Sequence, residues 1–272
     1  SSHKIVPVLY LISQSLVRAM SATINLPPLD QEKREAFYKI LQYFDHHRMG
    51  YIKVPTGWGK TFLAKHLMKN FYDEGKVILY LVSRNNPLLI QTFFIDGKTP
   101  LFPNSLILFS NSPGITPYEL ERKIKCRKGG IAIFASLQTI LSKKKKELGK
   151  ILSETVRFVV IDEIHNFILN KGNQFIEEIN HDAKILGLTA TPFQGVVGKV
   201  KFVEDISEEM REIFSKTLPQ CILDGQLSEL TYTIIQSNLS ILDLFEIDER
   251  KGLSELMKEE LYLDCSNIDK IN

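Results

Sequence analysis

Cysteine is scarce in this chain, and neither sign of charge dominates. The 272 residues include three cysteines, Cys126, Cys221 and Cys265, which are far apart. An odd and widely spaced set gives neither a disulfide framework nor the paired spacing of a zinc site, and it is typical of a reducing compartment. We expect all three thiols to be buried and inert. The formal net charge of +2 excludes a strongly basic chain, so any nucleic-acid surface must be local.

Long hydrophobic runs are also missing. No apolar stretch approaches the roughly 20 residues that a membrane-spanning helix needs. Residues 5–12 are apolar, but they follow a single lysine and lack a clear small-residue cleavage site, so we expect no signal peptide. These features favour a cytoplasmic or otherwise intracellular protein, the nucleus included, with no membrane partner. Residues 1–25 have apolar positions at helical spacing and are predicted to form an N-terminal helical extension.

The strongest motif is a glycine-containing turn between a predicted strand, residues 51–54, and a predicted helix. It consists of Pro55, Thr56, Gly57, Trp58, Gly59, Lys60 and Thr61. Two glycines allow several backbone N–H groups to point inward, and the helix N-terminus adds the positive end of its dipole. In such a loop Lys60 reaches the outer phosphates and the Thr61 hydroxyl binds Mg²⁺. The sequence therefore predicts a nucleoside-triphosphate site, although Val54 stands where the strict motif has glycine. Trp58 fills a position usually held by a small residue, and we expect it to face solvent or to cover the phosphates.

Two further polar clusters follow predicted strands, at 156–161 and 185–188. They contain Asp162, Glu163, His165, Thr189 and Thr191. Strands that alternate with helices predict a mostly parallel sheet with helices on both faces and ligands beyond the carboxyl ends of the strands. A lone Asp-Glu pair is ordinarily a solvated loop feature, but a buried-type strand places this pair at a sheet end. We expect Asp162 to hold Mg²⁺ and Glu163 to orient the attacking water.

Together these motifs resemble motifs I, II and III of superfamily 2 helicases and translocases. The likeness is closest to the Asp-Glu-x-His branch, which includes restriction-enzyme motor subunits and excision-repair helicases. It covers roughly residues 29–235 and implies an α/β, RecA-like P-loop NTPase domain, the first of two motor domains. The implied function is to couple the hydrolysis of ATP, with Mg²⁺, to movement on or unwinding of DNA or RNA.

The resemblance also assigns roles to residues outside the phosphate loop. His165, Thr189 and Thr191 would couple the nucleotide state to the nucleic-acid side and to a second motor domain. Gln31 is similar to the glutamine that reads adenine in this superfamily, because a side-chain amide can pair with the N6 and N7 edge of that base. Helix capping by Asp30 or Gln31 is the alternative, since the aromatic residue that the family carries upstream has no obvious counterpart.

Nucleic-acid contacts are expected at two strand ends. Arg84 and Asn85 follow one predicted strand, and Ser136 and Gln138 follow another, where the family has backbone-binding motifs. Guanidinium, hydroxyl and amide groups suit phosphate contacts that do not read sequence. A predicted helix begins at Ser136 and runs into the lysine run at 143–146. This run could add attraction, but such runs are more often a solvated helix face.

The predicted motor domain spans 26–235, and 236–272 forms a C-terminal segment that leads towards a second motor domain. Helical patterning is expected at 207–214 and a last strand at 232–235. No second set of strands or arginine-rich motif follows Thr191, so the second RecA-like domain is expected as a partner in a longer chain. Its arginine is typically worth about a thousandfold or more in rate, so this chain should bind ATP but hydrolyse it slowly. The alternative is a nucleotide-sensing regulatory module that binds proteins and has no motor activity.

Overall fold

The computed structural model describes residues 26–83, 93–95, 99–108, 115–142, 146–168, 172–196 and 199–228. The predicted N-terminal helix, Arg84, Asn85, the predicted strand at 232–235 and the segment 236–272 lie outside these ranges.

A seven-stranded parallel sheet forms the centre of the described chain. The described residues form the following strands, of which seven belong to this sheet: β1 (Met49–Lys53), β2 (Val77–Val82), β3 (Phe94–Ile95), β4 (Thr99–Pro100), β5 (Ser105–Leu108), β6 (Ile131–Ser136), β7 (Phe158–Asp162), β8 (Lys184–Thr189), β9 (Phe193–Val196), β10 (Lys199–Phe202) and β11 (Arg211–Ser215). The sheet has the order β11-β1-β8-β7-β2-β6-β5, and every neighbouring pair is parallel. Two separate antiparallel pairs, β3–β4 and β9–β10, complete the described strands.

Helices cover both faces of this sheet. They are α1 (Gln31–His46), α2 (Lys60–Asp73), α3 (Pro117–Lys125), α4 (Leu137–Ile140), α5 (Lys146–Thr155), α6 (Gly172–Glu178) and α7 (Leu218–Leu223). Along β2, Ile78 and Tyr80 join the apolar core under α1 and α2, whereas Leu79 and Leu81 join the core under α3, α5 and α6. Both faces of the strand are buried, as expected for a parallel sheet. The predicted fold class is confirmed. Within the described ranges, no helix is long and apolar enough to cross a membrane.

Two predictions of secondary structure are wrong. Residues 211–215 form the edge strand β11 and not a helix. Ile213 is buried, while its neighbours in the strand are partly or fully exposed. The three-residue spacing of Met210 and Ile213 suggests a helix, but pairing of this segment with β1 outweighs it. The helix expected to run from Ser136 into the lysine run ends at Ile140, and α5 begins separately at Lys146.

The cysteines differ from expectation in one case. Cys221 is fully buried, as predicted. Cys126 is exposed, because it caps the end of α3 and lies where the chain leaves the core. Cys265 lies outside the described residues.

Candidate nucleotide-binding site

The predicted phosphate loop connects β1 to α2 and has the backbone shape that such a loop needs. Gly57 and Gly59 have φ of 90° and 103°, in the left-handed region that side chains disfavour. Gly59 immediately precedes the 14-residue helix α2 and supplies no side-chain cap, so the first N–H groups of the helix remain available to an anion. A Cβ at Gly59 would lie 2.8 Å from Cε of Lys33, so α1 packs directly against the loop.

Lys60 lies inside the loop rather than in solvent. Its side chain is 9% exposed, and its ammonium donates a hydrogen bond to the Val54 carbonyl over 3.2 Å. The same nitrogen is 3.9 Å from Oε1 of Glu163. The buried ammonium of Lys60 thus lies between a backbone carbonyl and a carboxylate.

The expectation for Trp58 is wrong, because its side chain neither faces solvent nor covers the loop. The indole is 2% exposed and packs against Phe214 with 5.6 Å between ring centroids. Its Nε1–H donates to Oε2 of Glu32 over 3.3 Å, and the Lys33 ammonium lies 5.0 Å from the ring centroid. Phe214 belongs to the edge strand β11, which the sequence analysis predicted as a helix, and this strand supplies the surface that buries Trp58.

Glu32 links the loop to the chain that follows β11. Lys216 Nζ lies 2.6 Å from Oε1 of Glu32 and 2.6 Å from Asp224, and the Gln226 amide also donates to Glu32. Burial raises the pKa of Glu32, but the hydrogen bonds from Lys216, Gln226 and Trp58 outweigh it and hold that pKa below its ordinary value. Sequence reasoning missed this cluster, and the only available signal was the position of Glu32 beside Gln31.

A cleft of about 410 Å³ adjoins the other side of the loop. Its lining includes Thr56, which is exposed, together with Lys53, Ala190 and Lys216. This cleft lies at the carboxyl ends of β1, β8 and β11, and its lining does not include Lys60, Thr61 or the Asp-Glu pair.

Asp162 and Glu163 lie at the carboxyl end of β7, two strands away from β1. Glu163 has φ 49° and ψ 54°, the one left-handed non-glycine residue among those that the structure describes. Such a conformation costs roughly 1–3 kcal/mol and is concentrated at functional sites. Here it accompanies the approach of the Glu163 carboxylate to Lys60. Burial, and next the Glu163 carboxylate, raise the pKa of Asp162, so the pair carries charge that a cation would stabilise.

Thr61 lies in the first turn of α2 and Asp162 at the end of β7, and both affect the pKa of the Tyr80 hydroxyl, which burial raises most. A hydroxyl and a carboxylate are ligands that Mg²⁺ accepts, usually with nucleotide phosphates and water completing the shell. No cluster of three or more His, Cys, Asp or Glu that could hold a metal occurs among the described residues. One hydroxyl and one carboxylate are a donor set that fits an Mg²⁺ ion held together with a nucleotide.

His165 is joined to Thr189 and Thr191. The Thr189 hydroxyl donates to the Thr191 carbonyl over 2.6 Å, so its oxygen accepts from the Thr191 N–H at 3.1 Å and from His165 Nδ1 at 2.9 Å. This arrangement assigns the proton of the imidazole to Nδ1. Burial is the main cause that lowers the pKa of His165, while Glu163 raises it, so the ring is neutral near pH 7. The Thr189 carbonyl also accepts the Val54 N–H at 3.0 Å, which connects this group to the phosphate loop.

The family model described as "Type III restriction enzyme, res subunit" matches residues 26–194. The chain belongs to this family. It is also similar to two proteins named ATP-dependent DNA helicase MPH1. The one from Scheffersomyces stipitis is 26% identical over 201 residues, which cover 70% of this chain and 18% of that protein. The one from Debaryomyces hansenii is 25% identical over 261 residues, which cover 90% and 22%. The chain thus spans about a fifth of the length of these relatives.

A solved structure supports the fold. The ATP-dependent type ISP restriction-modification enzyme LlaBIII bound to DNA aligns with a TM-score of 0.53 and 18% identity, over 74% of this chain and 16% of that one. The family match confirms the predicted membership of superfamily 2, and this solved structure supports the predicted RecA-like fold.

The remaining predicted site residues are more dispersed. Gln31 is exposed at the start of α1, and its amide donates to Glu35 at 3.1 Å, while Asp30 caps the helix by accepting from the Lys33 N–H at 2.8 Å. Ser136 is fully buried, and its hydroxyl accepts from the Thr139 N–H, so it caps α4 and presents no surface to a phosphate backbone. Gln138 is exposed on α4. Arg84 and Asn85 lie outside the described residues.

Proposed function

We propose that this chain binds Mg·ATP at the carboxyl ends of β1 and β7, and that the longer protein uses its hydrolysis to move along or unwind DNA. One observation carries the proposal: buried Lys60 lies in a glycine loop at the start of α2, 3.9 Å from Glu163 at the end of the strand two places away. A chance glycine turn would have no reason to hold a lysine against the Asp-Glu pair. The names of the relatives point to DNA as the nucleic acid.

In this function the loop acts mainly through its backbone. The N–H groups from Gly57 to Thr61 surround the phosphates, and Lys60 exchanges the Val54 carbonyl for a phosphate oxygen, a stronger charge-assisted bond. Thr61 and Asp162 would hold the magnesium ion, which supplies neutralisation of phosphate charge when bound. Gln31 would read adenine if its amide turned away from Glu35.

Glu163 is the residue that we assign to the attacking water. Its side chain is 39% exposed, so water reaches it, and it lies beside Lys60 and His165. A carboxylate in this place orients the water and accepts its proton. The hydrolysis remains slow until a second RecA-like domain adds cationic groups across the cleft. We infer that this domain and nucleic acid are the partners of the longer protein, which acts inside the cell where DNA is found.

The test uses Trp58, the only tryptophan of the chain, as a reporter within the loop. Mg·ATP, Mg·ADP and Mg·GTP are titrated into the wild type, into Lys60→Ala and into the control Lys69→Ala, which removes a partly exposed lysine of the same helix that pairs with Asp73. We expect saturable changes with the adenine nucleotides, unchanged affinity in Lys69→Ala, and affinity at least about tenfold weaker in Lys60→Ala, because a charge-assisted bond is worth roughly 1.5–3 kcal/mol.

Equal affinities in the two lysine variants would contradict the proposal. So would an absence of binding by the wild type in calorimetry, which does not depend on the tryptophan. Gln31→Ala should abolish any preference for ATP over GTP without removing binding; if the preference survives, Gln31 does not read the base.

A further inference from the structure

Tyr80 carries a buried hydroxyl that makes no hydrogen bond of normal geometry among the described residues. The side chain, in the middle of β2, is 1% exposed. Its ring packs against Phe93 at 4.8 Å and Phe134 at 6.2 Å between centroids. Phenylalanine would fit these aromatic surroundings, and an unpaired buried hydroxyl costs roughly 1–3 kcal/mol. The surrounding side chains therefore leave the Tyr80 hydroxyl without a hydrogen-bond partner among the described residues.

The strand register shows where this hydroxyl lies. Tyr80 pairs with Val160 on the adjacent strand β7, and alternate residues of a strand share a face. Asp162 lies two residues beyond Val160, so its side chain leaves the sheet on the same face as Tyr80. Helix α2 packs on that face, and the hydroxyl approaches both Thr61 and Asp162. It thus points at the place assigned above to Mg²⁺.

We propose that Tyr80 is a positioning residue for the metal: its hydroxyl donates the hydrogen bond that orients the Asp162 carboxylate towards Mg²⁺ when nucleotide binds. The inference rests on the proposed function and adds a third residue to the metal-binding side of the cleft. A phenolic O–H is a donor that a carboxylate accepts readily, and a fixed ring on a central strand gives that donor one position. The Glu163 N–H already donates to Oδ1 of Asp162 at 3.2 Å, and because each carboxylate oxygen can accept more than one bond, a lone pair remains for the ion.

The variant Tyr80→Phe removes a single oxygen atom and keeps the aromatic packing. Tyr72→Phe is the matched control, because the Tyr72 hydroxyl accepts from the Asn104 N–H at 3.0 Å and takes no part in the cleft. ADP is titrated into each protein in EDTA and at a series of Mg²⁺ and Mn²⁺ concentrations, with Trp58 fluorescence as the readout. Thermal unfolding of each protein is recorded in parallel.

We expect Tyr80→Phe to bind metal-free ADP like the wild type, while its Mg²⁺-dependent gain in affinity falls about tenfold, the loss of one hydrogen bond to a charged group. Tyr72→Phe should keep the full gain even if it unfolds earlier. A wild-type metal dependence in Tyr80→Phe would overturn the inference, and so would an equal loss of affinity with and without metal, since that is a packing effect. A wild type that binds no nucleotide in any condition would instead overturn the proposed function, and this inference with it.

Discussion

Replacing Glu32 by glutamine tests whether the phosphate loop is held by the chain that follows β11. The carboxylate accepts from Trp58, Gln226 and Lys216, and it is 25% exposed while the Lys216 side chain is 9% exposed. Little solvent screens the pair, and a hydrogen bond to a charged group is worth roughly 1.5–3 kcal/mol. Asp224 still neutralises Lys216 in the variant, and the new amide oxygen can still accept one bond. We therefore expect Glu32→Gln to lower the free energy of unfolding by about 1–2 kcal/mol.

Urea unfolding followed by circular dichroism at pH 7 measures this loss, and Trp58 fluorescence reports the loop in the same samples. The control is Asp73→Asn, which removes one partner of the more exposed Lys69–Asp73 pair on α2 and should cost less than about 0.5 kcal/mol. A Glu32→Gln loss no larger than that of the control would refute the argument that the cluster anchors the loop.

The pH dependence supplies a second check of the same reasoning. The pKa of Glu32 is lower in the folded protein than its ordinary value of 4.5, so its charge stabilises the folded state fully above that pH. As the pH falls below 4.5 and through the folded pKa, the wild type loses this stabilisation and the variant has none to lose. The difference in unfolding free energy between the two proteins should shrink on acidification. A difference that stays constant or grows would mean that the carboxylate charge is not its source.

Two further outcomes test the packing. Gly130→Ala would place a Cβ 2.3 Å from the Tyr72 carbonyl oxygen, a backbone atom that cannot move aside. The free energy of unfolding, measured by urea denaturation, should therefore fall by about 3 kcal/mol, and a loss below about 0.5 kcal/mol would contradict this close approach. Iodoacetamide should modify the exposed Cys126 in the native protein far faster than Cys221, because Cys221 is fully buried and this burial raises the pKa of its thiol. Equal rates of modification in peptide mapping would show that Cys221 is accessible.

The sequence predicts well the parts of this protein whose signals are contiguous. The strands β1, β2, β6, β7 and β8 are short apolar runs, and the site residues follow directly after them, so their meeting at one edge of the sheet is a consequence of parallel topology. The phosphate loop can be recognised for the same reason, because its glycines, lysine and threonine lie within one short stretch of the sequence. Thr189 and His165 likewise contact each other because β7 and β8 are neighbours.

The parts that sequence reasoning missed depend on residues far apart in the chain. Burial of Trp58 requires Phe214 from an edge strand, and an edge strand with one buried side has too few apolar residues to distinguish it from a helix. The Glu32–Lys216 pair brings together two segments with no motif of their own. The position of Ser136 at the end of β6 suggested a phosphate ligand. A hydroxyl is equally useful there as a helix cap, however, and the Ser136 hydroxyl accepts the Thr139 N–H at the start of α4.

Thr189 hydrogen-bonds both to the phosphate loop and to His165. Strand β8 lies between β1 and β7, so its carboxyl end separates the phosphate loop from the Asp-Glu pair. The Thr189 carbonyl accepts the Val54 N–H from the loop side, and its hydroxyl accepts from His165 on the other side. Through its main chain and its side chain, this single threonine on the strand between β1 and β7 joins the phosphate loop to His165 and Thr191.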